Sequence, residues 1–177
     1  AGANSVCKPE NLLQFAVMGS LYHSKVFGVT NPTIGLLSIG EEASKGDQVV
    51  QEAHTLLKAS SLNFVGNVEG KDIFPGTVDV IVCDGFTGNV LLKFAESMPR
   101  FFGNILRDEI NVSWISKIGA LLVSGAFKRM KQRLDWQEYG GAPLLGLDGV
   151  TIVCHGRSQA RAITCAINVA VQAVRNG

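Results

Sequence analysis

Val78-Asp79-Val80-Ile81-Val82-Cys83, followed at once by Asp84-Gly85-Phe86-Thr87-Gly88-Asn89, decides the fold class. The first six residues are mostly β-branched and apolar with one charge, the pattern of a buried strand. The next six form a glycine-rich turn, and an apolar helix is expected to begin near Val90. An apolar strand that feeds directly into a helix is the unit of a parallel sheet covered by helices.

The same unit recurs upstream. Residues 33–39 read as a continuous apolar strand, residues 40–47 as a polar loop, and residues 47–59 as a helix with Val49, Val50, Ala53, Leu56 and Leu57 at helical spacing. A short strand at 62–66 and a loop at 67–76 complete the approach to Val78. Before this block lies a helix over 9–25, opened by Pro9 and Glu10 and closed by Gly28; its apolar residues surround it, so burial on nearly all sides is expected. Downstream, Pro99 should kink or end the helix that follows Asn89, with a second piece over 100–109. A helix over 112–136, a strand over 147–154, a turn at 155–158 and a closing helix over 159–174 finish the chain. The fold class is α/β with a mainly parallel sheet. No repeat or linker interrupts it, so residues 1–177 read as a single domain unit.

Composition narrows the function. Of 177 residues, 46% are hydrophobic and 18% charged, with a net charge of +1, which excludes a disordered chain. Near-neutral charge argues against a nucleic-acid binder. The longest apolar run, residues 118–127, is interrupted by Ser124 and Gly125 and falls short of the ~20 residues of a membrane span. There is no basic-then-apolar leader. Cys7, Cys83, Cys154 and Cys165 have neither metal-ligand nor CxxC spacing and read as reduced thiols of a cytosolic protein. The chain opens on Ala1-Gly2-Ala3-Asn4, which fits both removal of an initiator Met and a fragment of a longer protein.

In such folds ligands sit beyond the carboxyl ends of the strands. Four polar loops qualify: 40–47, 67–72, 84–89 and 155–158. Gly85 and Gly88, and likewise Gly156 and Ser158, enter helices, where free N–H groups suit a phosphate; from composition alone, such turns are more often ordinary helix caps. Lys45 could balance an anion or be a solvated loop lysine. His155 could exchange a proton or bond backbone. Asp84 could orient a base or cap the loop, and Asn89 could donate to an oxyanion or cap the next helix. His23 and His54 read as surface residues. Nothing points to a covalent nucleophile. In the 112–136 helix, Trp114, Ile118, Leu121, Leu122 and Phe127 lie among Lys117, Lys128, Arg129, Lys131 and Arg133. That combination reads either as a membrane-docking element or as a core helix with a basic face.

Taken in order, these segments resemble the bacterial phosphate acyltransferase family of phospholipid synthesis (acyl-acyl carrier protein:phosphate acyltransferase). The carriers are Ala1-Gly2-Ala3-Asn4 with Cys7-Lys8-Pro9-Glu10-Asn11-Leu12-Leu13-Gln14-Phe15-Ala16, Gly35-Leu36-Leu37-Ser38-Ile39-Gly40-Glu41-Glu42, Lys45-Gly46 and Asn63-Phe64-Val65-Gly66-Asn67-Val68-Glu69-Gly70. They continue through Val82-Cys83-Asp84-Gly85-Phe86-Thr87-Gly88-Asn89-Val90, Tyr139-Gly140-Gly141-Ala142-Pro143-Leu144-Leu145-Gly146 and His155-Gly156-Arg157-Ser158. The resemblance spans essentially the whole chain and corresponds to the C-terminal half of family members. Arg157 departs from it, since the family's turn is expected to hold a small residue there.

The resemblance implies a three-layer α/β/α fold of the isocitrate dehydrogenase and phosphotransacetylase group. It implies attack of inorganic phosphate on a fatty acyl-carrier protein to give a long-chain acyl phosphate, the first step toward phosphatidic acid, with no metal or organic cofactor. It places Lys45, Asp84, Asn89 and His155 in catalysis and Gly85, Gly88, Gly156, Ser158, Asn67 and Glu41 around substrate or phosphate. It further implies a cytoplasmic homodimer resting on the inner face of the membrane beside a glycerol-3-phosphate acyltransferase, with acyl carrier protein as partner. Two alternatives stay open: a short-chain, coenzyme A-dependent phosphotransacylase of the same fold, and a non-catalytic dimerisation or membrane-docking fragment.

Overall fold

The computed structural model describes residues 1–133, 141–156 and 158–176. Residues 134–140, of which 134–136 are expected to end the long helix, lie outside the described residues, as do Arg157 and Gly177. The chain is α/β with a parallel sheet, as the apolar strands require. Against the single unit read from the sequence, it groups into two compact units, residues 1–91 and 92–177.

In the first unit, α1 (Pro9–Phe27) leads to β1 (Ile34–Leu37), α2 (Gln48–Ala59), β2 (Phe64–Val68), a 3₁₀ turn (Gly70–Asp72), β3 (Val80–Val82) and the start of α3 (Gly85–Asn111). The sheet order is β2-β1-β3, all parallel. Central β1 is apolar throughout because strands pair with it on both edges and α1 and α2 share its core; Ile34 and Leu36 are fully buried. Spacing does the rest. Leu12 and Ala16 of α1, and Ala53 and Leu57 of α2, lie four residues apart and pack with Ile34, Leu36 and Val82 into one core. Only one stripe of α1 is therefore covered: Val17 and Leu21 are exposed, which corrects the expectation of burial on all sides. Gly28 ends α1 in the left-handed conformation, φ 71°. In β2, Gly66 takes φ 115°, and the pairing with β1 slips by one residue beside Ile34 and Gly35.

The second unit holds the rest of α3, then α4 (Trp114–Leu122), α5 (Ser124–Arg133), an antiparallel pair β4 (Ala142–Pro143) and β5 (Ile152–Val153), and α6 (Ala160–Asn176), which packs on β5. Three expectations are corrected here and at the unit boundary. Helix α3 begins at Gly85, five residues before Val90, and runs through Pro99 without ending. The helix expected over 112–136 is two helices that break at Val123, the first capped by the Ser113 hydroxyl, which accepts from Ser116 N–H at 3.0 Å. The strand expected over 147–154 is reduced to Ile152–Val153.

Candidate active site

The carboxyl ends of β1, β2 and β3 emerge on one edge of the sheet, because all three strands run the same way. The two ends of the loop after β1 (Ser38, Ile39, Gly46 and Asp47), Gly70 and the start of α3 line a cleft of about 440 Å³ at that edge. Its walls are largely apolar, with Leu12, Leu36, Val50, Phe86, Val90 and Leu91, and its polar groups are Ser38, Asp47, Asp84 and Thr87. Such a volume suits a small ligand or part of a larger one.

Both helices that start at this cleft are closed by their own aspartates. Asp84 accepts from Thr87 N–H at 2.8 Å and from the Thr87 hydroxyl at 2.6 Å, and its carbonyl accepts from Gly88 N–H at 3.0 Å. Burial works against its charge, but the hydroxyl and N–H of Thr87 outweigh it and hold the carboxyl below its ordinary value. Asp47 caps α2 in the same way, accepting from Val50 N–H at 2.9 Å. Gly85 N–H donates to Asn4 O at 2.8 Å, while Gly2 N–H donates to Cys83 O at 3.0 Å. The amides of Gly85 and Gly88, expected to cradle phosphate, are thus engaged within the fold. These glycines make room instead. A Cβ on Gly85 would lie 2.5 Å from Gly2 O and 2.8 Å from Asn4 O, and one on Gly88 would strike Ala1. Asn89 lies in the second turn of α3, exposed. Asp84 holds the helix start, so Asn89 is not its cap.

Several bonds anchor the loop after β1, among them one from Gln51 Nε2 to Gly46 O at 2.9 Å. Ser38 N–H donates to Val68 O at 2.9 Å. The Asn67 Nδ2 donates to Glu42 O at 2.8 Å, and Asn67 Oδ1 lies 3.0 Å from His54 Nδ1. Finally, Lys71 Nζ reaches Glu41 Oε1 at 3.0 Å and Glu69 Oε1 at 3.4 Å. Hydrogen bonds to these two carboxylates push the Lys71 ammonium pKa up. Lys71 was missed in the sequence; its only local signal is a lysine set between Glu69 and Asp72 in one polar loop. Glu41 accordingly faces a lysine and, as an ionised carboxylate, offers no donor to an anion. Lys45 is exposed on the same loop, its N–H donating to Glu42 O at 2.9 Å. His54 is half-buried, against Phe64 as well as Asn67, and His23 is half-buried against Phe27; neither is the surface residue expected.

In the second unit, His155 Nε2 lies 3.7 Å from Glu96 Oε2, and Ser158 N–H donates to His155 O at 2.9 Å. The Ser158 hydroxyl is buried with no hydrogen-bond partner among the described residues. His155 also borders an open groove along α3 with Lys93, Glu96, Arg100 and Asn104. On α4, Trp114, Ile118, Leu121 and Leu122 fall within one arc of the helix and are all exposed, Leu122 by 81%. Phe127 on α5 is half-buried and stands apart from that set.

Comparison with known proteins decides the family. A family model described as "Fatty acid synthesis protein" matches residues 1–177. The chain belongs to the fatty acid synthesis protein family. Among curated members, the "Phosphate acyltransferase" of Pelotomaculum thermopropionicum is 54% identical over 176 residues, 99% of this chain and 52% of its own length. That of Heliobacterium modesticaldum is 55% identical over 174 residues, covering 98% of this chain and 52% of the relative. That of Pelobacter propionicus is 51% identical over 176 residues, covering 99% and 51%. The chain therefore spans about half the length of these family members.

Proposed function

We propose that this chain is the phosphate-acyltransferase portion that its relatives' name describes, acting on a fatty acyl thioester of acyl carrier protein. A phosphate oxygen attacks the thioester carbonyl carbon, a C–O bond forms, the C–S bond breaks, and the departing thiolate takes up a proton. The products are an acyl phosphate, an intermediate on the way to phosphatidic acid, and free carrier protein. The observation that carries this reading is identity above 50% along 98–99% of the chain to proteins named phosphate acyltransferase.

The cleft supports a division of labour. With two aspartates closing the helix starts, its apolar walls suit the acyl segment next to the thioester. Phosphate is held on the rim by Lys45, with Asn89 as the candidate donor to the developing oxyanion. Asp84 acts by fixing the start of α3. Gly85 and Gly88 act by giving that start its shape; Asn67 and Glu41 shape the rim. In the second unit, His155, Gly156 and Ser158 are kept as proposed substrate-contacting residues. Among the described residues no helix is long and apolar enough to cross a membrane. The exposed arc of α4, with Lys128 and Arg129 following on α5, is instead proposed to rest on an anionic membrane surface in the cytoplasm, where a membrane glycerol-3-phosphate acyltransferase would take the product. A homodimer is part of this proposal.

Hydroxylamine trapping of acyl phosphate tests it. The purified protein, its intact mass measured on the same sample, is given palmitoyl-carrier protein and inorganic phosphate. Phosphate-dependent hydroxamate is the expected result. Product formed from acetyl-coenzyme A but not from the carrier-protein donor would replace the reading with a short-chain transacylase, and no product from either would leave a docking module.

A further inference from the structure

We propose that Asn67 is a positioning residue, which, with His54 behind it, holds the Lys45 turn in place over the cleft. The kinetic consequence rests on the phosphate-acyltransferase reading; the structural one does not.

Asn67 is the only polar residue classed as buried among the described residues, 7% exposed. A buried amide must find partners for both its ends. The Glu42 carbonyl oxygen accepts only, so the Asn67 Nδ2 must face it, at 2.8 Å. Asn67 Oδ1 then faces His54 Nδ1 at 3.0 Å, and that nitrogen must carry hydrogen. The tautomer with its hydrogen on Nδ1 supplies it. His54 is itself set by its place on α2 and by the Phe64 ring, with centroids 5.1 Å apart.

The decisive atom is Glu42 O. It accepts from Asn67 Nδ2 at 2.8 Å and also from Lys45 N–H at 2.9 Å. One carbonyl oxygen therefore joins β2 to the turn that presents Lys45. The links run without a gap from α2 through His54 to Asn67, to Glu42 O and to the Lys45 amide. The side chains of residues 41–45 are exposed, so little packing supplements these bonds. Asn67 thus acts on substrate through Lys45, its oxygen and one of its two Nδ2–H donors being engaged within the fold.

The test is Asn67→Asp, which keeps the shape and the acceptor facing His54 but sets an acceptor against Glu42 O. Hydrogen exchange of the amides in residues 39–46 should quicken by about tenfold or more, the effect of losing one buried hydrogen bond. The KM for inorganic phosphate should rise by about the same factor, while the KM for the acyl donor stays within about twofold. His54→Phe, which keeps a ring beside Phe64 and removes the donor, should give the same pattern more weakly. In the double variant the two effects should fall short of additive, because both act through one chain of bonds. Unchanged loop exchange in both variants would overturn the proposal. So would a raised phosphate KM without faster loop exchange, which would make Asn67 a direct ligand. If Asn67→Asp does not fold, His54→Phe decides by the same readings. A wild-type protein without phosphate-dependent activity would remove the functional reading, and the exchange measurement would still decide this one.

Discussion

Two glycines of the same helix should respond in opposite directions to the same substitution. At Gly85, an added Cβ would lie 2.5 Å from Gly2 O and 2.8 Å from Asn4 O. Both are backbone atoms, so they can yield only by moving the chain. That movement breaks the bonds from Gly85 N–H to Asn4 O and from Gly2 N–H to Cys83 O. Two hydrogen bonds at a net ~0.5–1.5 kcal/mol each give ~1–3 kcal/mol lost. Alanine returns up to ~1 kcal/mol of helix propensity. Subtracting the full return leaves ~0–2 kcal/mol, so Gly85→Ala should destabilise the first unit by about 1 kcal/mol, the middle of that range. Gly103, also in α3, has open space where its Cβ would go. Gly103→Ala should gain the propensity alone, up to ~1 kcal/mol. Native-state hydrogen exchange measures both, read at the β1 and β3 amides for Gly85→Ala and along α3 for Gly103→Ala. If Gly85→Ala matches or exceeds wild-type stability, the close approach of residues 2–4 to α3 is not what requires glycine there.

Three further outcomes are expected. Asp84 has a folded pKa below its unfolded value of ~3.9, so its contribution is present above that pH and is lost as pH falls through the folded value; Asp84→Asn should lower the thermal midpoint near neutrality and narrow its gap to wild type in acid. Leu57→Ala removes a fully buried side chain and should cost ~2–5 kcal/mol by native-state exchange of β1. Leu121→Asp, at a side chain 74% exposed, should abolish sedimentation with anionic vesicles while leaving circular dichroism unchanged; sedimentation equal to wild type would show that the α4 arc is not a docking face.

How far the sequence speaks depends on how local each determinant is. Strand β1 is legible because its burial demands an unbroken apolar run, β3 because β-branched residues dominate it, and α2 because Val49, Val50, Ala53, Leu56 and Leu57 fall at helical spacing. Helix α3 is misplaced by five residues because two glycines look like turn residues when no partner is visible. They belong to its first turn, and the reason for glycine there lies largely some eighty residues away, in the backbone of Gly2 and Asn4 for Gly85 and in Ala1 for Gly88. Likewise Ser113 announces a helix start, but the break at Val123 is invisible in a run of apolar and basic residues. At the site, Lys45 and Asp84 are located by their position after strands, whereas Asn67, expected to open a loop, stands within β2. Their relations are not legible. The contacts from Asn67 to His54 and to Glu42, and from Lys71 to Glu41, join different elements, and no spacing rule reports them.

Gly66 bears on solubility. Strand β2 lies at an outer edge of the sheet, where a row of unpaired backbone groups invites another chain to add itself. With φ at 115° and the register slipping alongside, the middle of that strand is bent out of line. An incoming strand finds no straight run of donors and acceptors to match. A residue with a side chain would resist this backbone angle and favour a flatter edge. An edge interrupted in this way is a poorer template for added strands than a straight run through Phe64, Val65 and Val68 would be.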